Sequence, residues 1–284
     1  MQQHHSILSF SGARYFWVAL LLCGASIAAY AWHEPPTASL KPYGGTWLGY
    51  TLGTIGALLI LWLMLLGVRK RRYRANVGSL QGWTSAHVYL GVSLIIIATL
   101  HSAFEFGCNV HTLAYALMIV VIVSGLFGVY AYLHYPELIT KNIGNDSFET
   151  LLVKTNELDK TCRELALDLP DEVNAVVLGA SRAAERNMSD AGRFSLRPFR
   201  KVYCPTTNAV AELKQLGASL SGPQARLNGQ LVKEMTRKRL LIERLRRDLR
   251  YHTMLQIWLY LHVPLSFALL GALIAHVVSV FYFW

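Results

Sequence analysis

Two pairs of histidines with identical spacing are the residues of this chain best suited to chemistry. His87 and His101 lie 14 positions apart in one apolar segment, and His262 and His276 lie 14 apart in another. Fourteen helical residues at 100° each end about 40° short of four full turns, so both members of a pair share one helix face. They are then about 21 Å apart along the axis. Two such helices side by side would present two His/His clamps at different levels.

Opposed imidazoles suit a six-coordinate haem iron better than any other common cofactor. We therefore predict that the chain binds two haem b groups, one between His87 and His262 and one between His101 and His276. Zinc and copper fit less well, because each level offers two ligands where zinc needs three or four. A proton relay and plain hydrogen bonding between membrane helices stay open as alternatives. Neither alternative explains why the same spacing occurs twice.

The composition is that of a membrane protein. Hydrophobic residues make up 53% of the chain, charged residues only 15%, and the mean hydropathy is +0.33. The fold class predicted from this is all-α, a polytopic membrane helix bundle of about five spans. The first span resembles a secretory signal ending in Ala29-Tyr30-Ala31, and we interpret it as an uncleaved anchor. The expected spans are residues 15–32, 48–68, 84–104, 112–133 and 255–283.

The basic residues predict an orientation. The segment 134–253 holds 20 of the 27 Lys and Arg residues, and five more follow the second span between Arg69 and Arg74. By the positive-inside rule, the N-terminus, 69–83 and 134–253 are cytoplasmic and the C-terminus is outside, in what we expect to be a bacterial inner membrane. The net charge of +10 then reflects this rule and contact with anionic lipid, not nucleic acid. Spans three and five run parallel, so both histidine pairs come out level.

We expect three parts: transmembrane helices over 1–133, a mainly helical cytoplasmic insert over 134–253, and a last transmembrane helix over 254–284. A capping box of Asp146 and Glu149 should begin a helix over 147–168. Pro170 should begin the next helix, Thr206 or Thr207 should cap one over 208–219, and 186–206 should be an irregular loop. The stretch 224–253 should form a long amphipathic helix that runs into span five.

Other polar residues fit a cofactor role less well. His111 and His134 begin and end span four about 140° apart around the helix, so we interpret them as interfacial, with His111 able to approach the haem at His101 and His276. Gly91 and Gly271 lie near the ligands in sequence, which is consistent with a flat macrocycle between the helices. The glycines in spans two and four should allow close approach of neighbouring helices. The four cysteines show no spacing for covalent haem or an iron–sulfur cluster.

The four histidines resemble those of the di-haem b-type cytochromes, which place two such pairs on two transmembrane helices. Within that group, the ferric-reductase-like and NADPH-oxidase transmembrane domains carry their pairs on the third and fifth helices, as His87/His101 and His262/His276 do here. The respiratory cytochrome b subunits use similar pairs. The resemblance covers roughly 80–135 and 255–284. It implies an electron path across the membrane between two haems.

The chain departs from the reductases in three respects. No G-x-G-x-x-G follows a strand pattern, so no nucleotide-binding domain is expected. No sixth span is expected, and the 120-residue insert 134–253 separates spans four and five. We therefore expect an electron-transfer subunit that serves separate redox partner proteins, more than a self-contained enzyme. Two alternatives remain. One is a quinol oxidoreductase or metal reductase, with a quinone pocket near Arg69–Arg74, Trp83 and Ser85 on the inner side or near Phe104–Phe106, Cys108 and His111 on the outer side. The other is a membrane scaffold without redox activity.

Overall fold

The chain is helical throughout the part that the structure describes. The computed structural model describes residues 10–33, 44–71, 78–144, 146–191 and 205–283, apart from the side chains of 143, 185–191, 205 and 283. No strand occurs in these ranges, so the predicted all-α class is confirmed. The described helices are α1 (Arg14–Trp32), α2 (Trp47–Arg71), α3 (Leu80–His101), α4 (Val110–Ile143), α5 (Phe148–Leu167), α6 (Asp171–Ala191), α7 (Pro205–Gly217) and α8 (Gly222–Phe283).

Five of these helices, α1, α2, α3, α4 and α8, are long and apolar enough to cross a membrane. Their outer faces leave large apolar side chains exposed, such as Leu58, Leu61 and Phe267. Exposed apolar surface on this scale is costly in water and is what a bilayer would cover. The protein is therefore an integral membrane protein, and lipid contact is expected along these faces.

The helices form two compact units, and the first consists of Met1–Tyr130 and Trp258–Trp284. In it α3 packs against both α1 and α2. One buried cluster joins four helices: Ile60 and Leu63 from α2, Leu94 from α3, Met118 from α4 and Leu269 from α8. The two histidine-bearing helices, α3 and α8, are thus packed into one core together with α2 and α4.

Side chains cap α3 and α4 at their N-terminal ends. Ser79 accepts a hydrogen bond from the backbone N–H of Gly82 at the start of α3, at 3.1 Å. Asn109 does the same for Thr112 at the start of α4, at 2.9 Å. Each cap satisfies a backbone donor that has no partner inside the helix. Helix α3 ends at His101 itself.

The second unit is Ala131–Ile257, and its core is formed by the amphipathic faces of α5, α6, α7 and α8. Leu231 and Met235 of α8 are fully buried there, as their four-residue spacing predicts. The other buried members of the cluster are Cys162, Ala166, Leu169, Val173, Val177, Ala180, Ala209, Val210 and Leu213. Burial raises the pKa of the Cys162 thiol to about 11, with a smaller opposing effect from Lys238. That thiol is therefore protonated and inert at neutral pH.

A buried lysine of α8 lies at the edge of this core. Lys238 is 2% exposed, and its ammonium forms an ion pair with Asp159 of α5 and a 3.3 Å hydrogen bond to Ser181 of α6. Arg163 also pairs with Asp159. Burial alone would raise the pKa of Asp159, but the hydrogen bonds from Lys238, Ser181 and Arg163 outweigh it and hold that pKa below its ordinary value. These polar contacts join α5, α6 and α8.

Two predicted helix starts in this unit were wrong in detail. The cap of α5 is Ser147, which accepts from the N–H of Thr150, while Asp146 pairs instead with Lys154. Helix α7 already begins at Pro205, because proline lacks the N–H that would have no partner in the first turn, so Thr206 lies inside the helix. Helix α6 begins after Pro170, as expected.

Two helices run past the bounds expected for the spans and loops. Helix α4 continues beyond 133, where span four was expected to end, through Pro136 to Ile143. Helix α6 extends to Ala191, into the stretch expected to be a loop, and the rest of that loop lies outside the described residues. The expected amphipathic helix and span five are one helix, α8, which continues through Pro264.

Candidate cofactor site

All four predicted ligands lie in the first unit. His87 and His101 are on α3, and His262 and His276 are on α8. Each is half-buried. The 14-residue spacing makes the two histidines of one helix share a face, and the common core of α2, α3, α4 and α8 holds the two helices in place. Across the two helices, the histidines form a 101/276 pair at one level and an 87/262 pair at the other.

The rings of the 101/276 pair are neighbours, set nearly perpendicular to each other. Their centroids are 5.9 Å apart and their planes are at 86° to each other. Two metal–imidazole bonds of about 2 Å each would separate the ligand nitrogens by about 4 Å, and the ring centres lie somewhat farther apart than the nitrogens. A spacing of 5.9 Å between centroids is therefore suited to one metal ion between the rings.

The two imidazoles of the 87/262 pair, unlike those of the 101/276 pair, make no ring contact with each other in the described part of the chain. His262 instead lies against the indole of Trp258, with ring centroids 5.5 Å apart. That indole donates a 2.7 Å hydrogen bond to the carbonyl of Ser124 on α4, so the neighbourhood of His262 is held from two helices.

The δ-nitrogens of the two α3 histidines both contact backbone carbonyls of α2. Nδ1 of His87 is 3.1 Å from the oxygen of Leu63, and Nδ1 of His101 is 2.7 Å from the oxygen of Gly49. A carbonyl oxygen can only accept, so each imidazole must carry its proton on Nδ1. The lone pair of each ring is then on Nε2.

His262 reaches the same tautomer by another route. Its Nδ1 is 2.6 Å from the hydroxyl oxygen of Ser124, which could in principle donate or accept. The hydroxyl is also 2.8 Å from the carbonyl of Val121, which can only accept. With its proton donated to that carbonyl, the hydroxyl accepts from Nδ1–H of His262, and the lone pair of this ring is then on Nε2 as well.

Three of the four imidazoles thus have the arrangement that a metal ligand requires. A ligating histidine binds the metal through one nitrogen and donates its other N–H to a carbonyl, carboxylate or similar acceptor, which fixes the ring and makes it more basic. His87, His101 and His262 each have such an acceptor on a neighbouring helix. These three imidazoles therefore present Nε2 as the nitrogen able to bind a metal.

Glycines on the neighbouring helices make room for two of the imidazoles. A Cβ built on Gly53 of α2 would lie 2.6 Å from Cε1 of His101, and one on Gly125 of α4 would lie 3.4 Å from Cε1 of His262. By contrast, a Cβ on Gly91 would meet only Leu63 at 3.9 Å, and one on Gly271 would meet nothing within 4 Å. The glycines that matter for the ligands are therefore on α2 and α4, not next to the histidines in sequence.

A fifth histidine, His111, belongs to this site. It lies in the first turn of α4, and its Nδ1 forms a hydrogen bond with Nδ1 of His276. Their ring centroids are 4.5 Å apart. The sequence allowed His111 to approach this pair but did not predict its direct contact with His276. The sequence signal for this contact was the position of His111 directly after the turn that follows His101. That turn returns the chain to the level of the 101/276 pair.

Sites of higher ligand number are not found among the described residues. No group of three or more His, Cys, Asp or Glu side chains is arranged to hold a metal ion there. The 101/276 pair and His111 are neighbours, yet His111 contacts His276 at Nδ1 and not at Nε2, the nitrogen left to bind a metal. This geometry favours two-ligand sites over zinc-type sites.

The residues suggested for a quinone pocket make packing contacts of their own. Trp83 stacks on Trp62 with centroids 5.0 Å apart, and Ser85 is fully buried. Phe106 packs on Tyr115. A cavity of about 300 Å³ opens elsewhere, on α2, and it is lined by Tyr50, Thr51, Thr54 and Ile55. A quinone site stays a hypothesis, since none of these contacts points to a bound quinone.

Comparison with known proteins does not add a family to this picture. No family model, curated protein or solved structure matches the chain. Function is therefore inferred from the four histidines, their partners and the helices that position them.

Proposed function

We propose that this protein is a di-haem b-type membrane cytochrome that carries electrons across the membrane for separate redox partner proteins. His87 and His262 would hold one haem, and His101 and His276 the other. The observation that carries the proposal is the shared hydrogen-bonding pattern, in which Nδ1 of three of the four imidazoles donates to an acceptor and Nε2 keeps its lone pair. Ordinary packing does not require the same tautomer three times.

Bis-imidazole haem supplies one-electron transfer without an open coordination position. The chain's own contribution is to hold the imidazoles and exclude water from them. Leu63 and Gly49 fix the rings on α3 through their carbonyls, and Ser124 fixes that of His262. Burial among apolar side chains and hydrogen bonds to the ligands are the means by which a protein sets a haem potential.

We place the 87/262 pair on the cytoplasmic side and the 101/276 pair on the outer side, in a bacterial inner membrane. This orientation puts the N-terminus and 134–253 inside and the C-terminus outside. Support comes from the 20 Lys and Arg residues in 134–253, together with Arg69, Lys70 and Arg71 at the end of α2. Redox partners on the two faces would deliver and remove the electrons.

The first experiment is a reduced-minus-oxidised absorption spectrum of the detergent-purified full chain, with a pyridine haemochrome assay to count haem. Two b-type haems per chain would support the proposal. One haem would restrict it to a single histidine pair. No haem after expression with an adequate haem supply would refute it and favour a scaffold without redox activity.

Replacing one ligand should remove one haem and leave the other. His101→Ala and His276→Ala are each expected to lower the count from two haems to one, because each takes a ligand from the same iron while the 87/262 pair stays intact. The measurement is haem per chain by pyridine haemochrome. His134→Ala, on α4 but in the second unit, is the matched control and should keep both haems. Two haems in both ligand variants would contradict the pairing.

A further inference from the structure

The fourth ligand of the proposed site differs from the other three in its partner. Nδ1 of His87, His101 and His262 faces an oxygen acceptor, whereas Nδ1 of His276 faces the imidazole of His111. If His276 binds a metal through Nε2, its proton is on Nδ1 and must be donated. Nδ1 of His111 is the atom in position to accept it, since a neutral imidazole offers one acceptor nitrogen.

Two contacts of α4 hold His111 in this position. Asn109 caps the helix start, with its side-chain oxygen 2.9 Å from the N–H of Thr112. One turn after His111, the hydroxyl of Tyr115 lies 2.9 Å from that of Thr99 on α3, two residues before the ligand His101. The first turn of α4 is thus attached to the same helix end that carries His101. His111 is placed against His276 by the helix, not by a flexible side chain alone.

We propose that His111 is the positioning residue of His276, accepting its Nδ1–H and so setting the tautomer and ring plane of that ligand; this rests on the proposed haem function. The consequence for the ring plane is specific. The plane of His101 is held by the carbonyl of Gly49, and that of His276 stands at 86° to it. Nearly perpendicular ligand planes give a low-spin ferric haem a strongly anisotropic EPR spectrum, which parallel planes do not.

The contact should also affect the potential of the 101/276 haem. An imidazole that donates a hydrogen bond from Nδ1 is more basic and stabilises the ferric state. Loss of the acceptor is therefore expected to raise the midpoint potential. A tenfold change in the ratio of ferric to ferrous haem at fixed potential corresponds to about 59 mV for one electron. We expect a shift of about this size in one of the two haems and none in the other.

The test compares two substitutions of His111 in the full chain. His111→Phe keeps a ring of similar size without an acceptor, and His111→Asn places an amide oxygen near the position of Nδ1. The readouts are haem count, redox potentiometry and low-temperature EPR. The redox transition that disappears from the titration in His276→Ala is assigned to the 101/276 haem. His134→Phe is the control on the same helix.

The expected result is that His111→Phe raises the potential of the 101/276 haem and changes its EPR anisotropy, or loses that haem, while His111→Asn restores both properties. Unchanged potential and EPR in His111→Phe, with two haems in the wild type, would overturn the positioning role and leave the proposed function standing. Equal loss of the haem in His111→Phe and His111→Asn would overturn it as well, because an acceptor would then not suffice. A wild type without haem would overturn the proposed function and this role together.

Discussion

At the residue scale, the imidazoles depend on groups that are distant in sequence. His101 is held between a carbonyl of α2 and a glycine of the same helix, since Gly49 accepts from its Nδ1 and Gly53 faces its ring. The two glycines are four residues apart and therefore lie on one face of α2. One position orients the ring and the other makes room for it. Neither role requires a side chain, which is why small residues suit both.

Gly53→Ala should disturb the 101/276 haem and spare the other. Its Cβ would lie 2.6 Å from the His101 ring, inside van der Waals distance, so the imidazole must move away from its acceptor. Overpacking of this kind typically costs about 1–3 kcal/mol. Haem count and the reduced-minus-oxidised spectrum are the measurements. The matched control is Gly56→Ala on the same helix, whose Cβ would meet its nearest atoms only at 3.9 Å. Normal binding of both haems by Gly53→Ala would show that the ring is not confined there.

At the scale of elements, α8 combines two kinds of helix in one. Its part within the first unit is apolar and carries two histidines, and its part within Ala131–Ile257 is amphipathic and carries a buried lysine. Lys238 pairs with Asp159, so α8 and α5 are joined by charge as well as by the apolar cluster. Removing one member of a buried ion pair leaves the other charge without compensation.

Lys238→Met should loosen α8 from α5 in the second unit. We expect a loss of about 2 kcal/mol, less than the ~3–5 kcal/mol for a fully isolated charge, because Arg163 and Ser181 still contact Asp159. Hydrogen–deuterium exchange of the full chain in detergent measures the change as faster opening of α5 and α8. Lys233→Met, an exposed position on α8, is the control.

Two further results would distinguish an ion pair from simple packing. Asp159→Asn added to Lys238→Met should recover protection, since no buried charge then remains alone. In the wild type, Asp159 has a lowered pKa, so its contribution is present above the ordinary pKa of aspartate and declines as pH falls below about 4. If Lys238→Met and Lys233→Met exchange alike, the pair does not hold the helices together.

At the scale of the whole molecule, the proposed orientation assigns each segment to one side of the membrane. Cys108 is exposed in the turn between α3 and α4, whereas Cys23 is half-buried and Cys162 is buried. Lys160 of α5 has a side chain that is 80% exposed. These positions provide two chemical markers, one for each proposed face.

A membrane-impermeant maleimide should label Cys108 from outside. In a Cys204→Ser variant, we expect labelling in right-side-out vesicles and none in inverted ones, because the turn faces the outer side. Lys160→Cys in a Cys108→Ser, Cys204→Ser background should give the opposite pattern. Detergent-solubilised protein, which reacts in both variants, is the control for reactivity. Labelling of Cys108 only in inverted vesicles would reverse the proposed topology and exchange the sides of the two haem sites.

Local sequence patterns alone determined the helical class, the five apolar helices and the selection of His87, His101, His262 and His276. These features depend on periodicity and composition, which are properties of neighbouring residues. The extent of α4, the cap of α5 at Ser147 and the start of α7 at Pro205 were predicted less well, because several nearby residues compete as helix starts and stops.

Only the tertiary structure decided which groups accompany the histidines. The carbonyls of Gly49 and Leu63, the hydroxyl of Ser124 and the imidazole of His111 come from other helices. Spacing along one helix fixes the face on which a residue lies, but not which neighbouring helix covers that face or at what level. Backbone carbonyls also leave no mark in the sequence, since every residue has one. The packing of α2, α3, α4 and α8 is therefore what selects the partners of each imidazole.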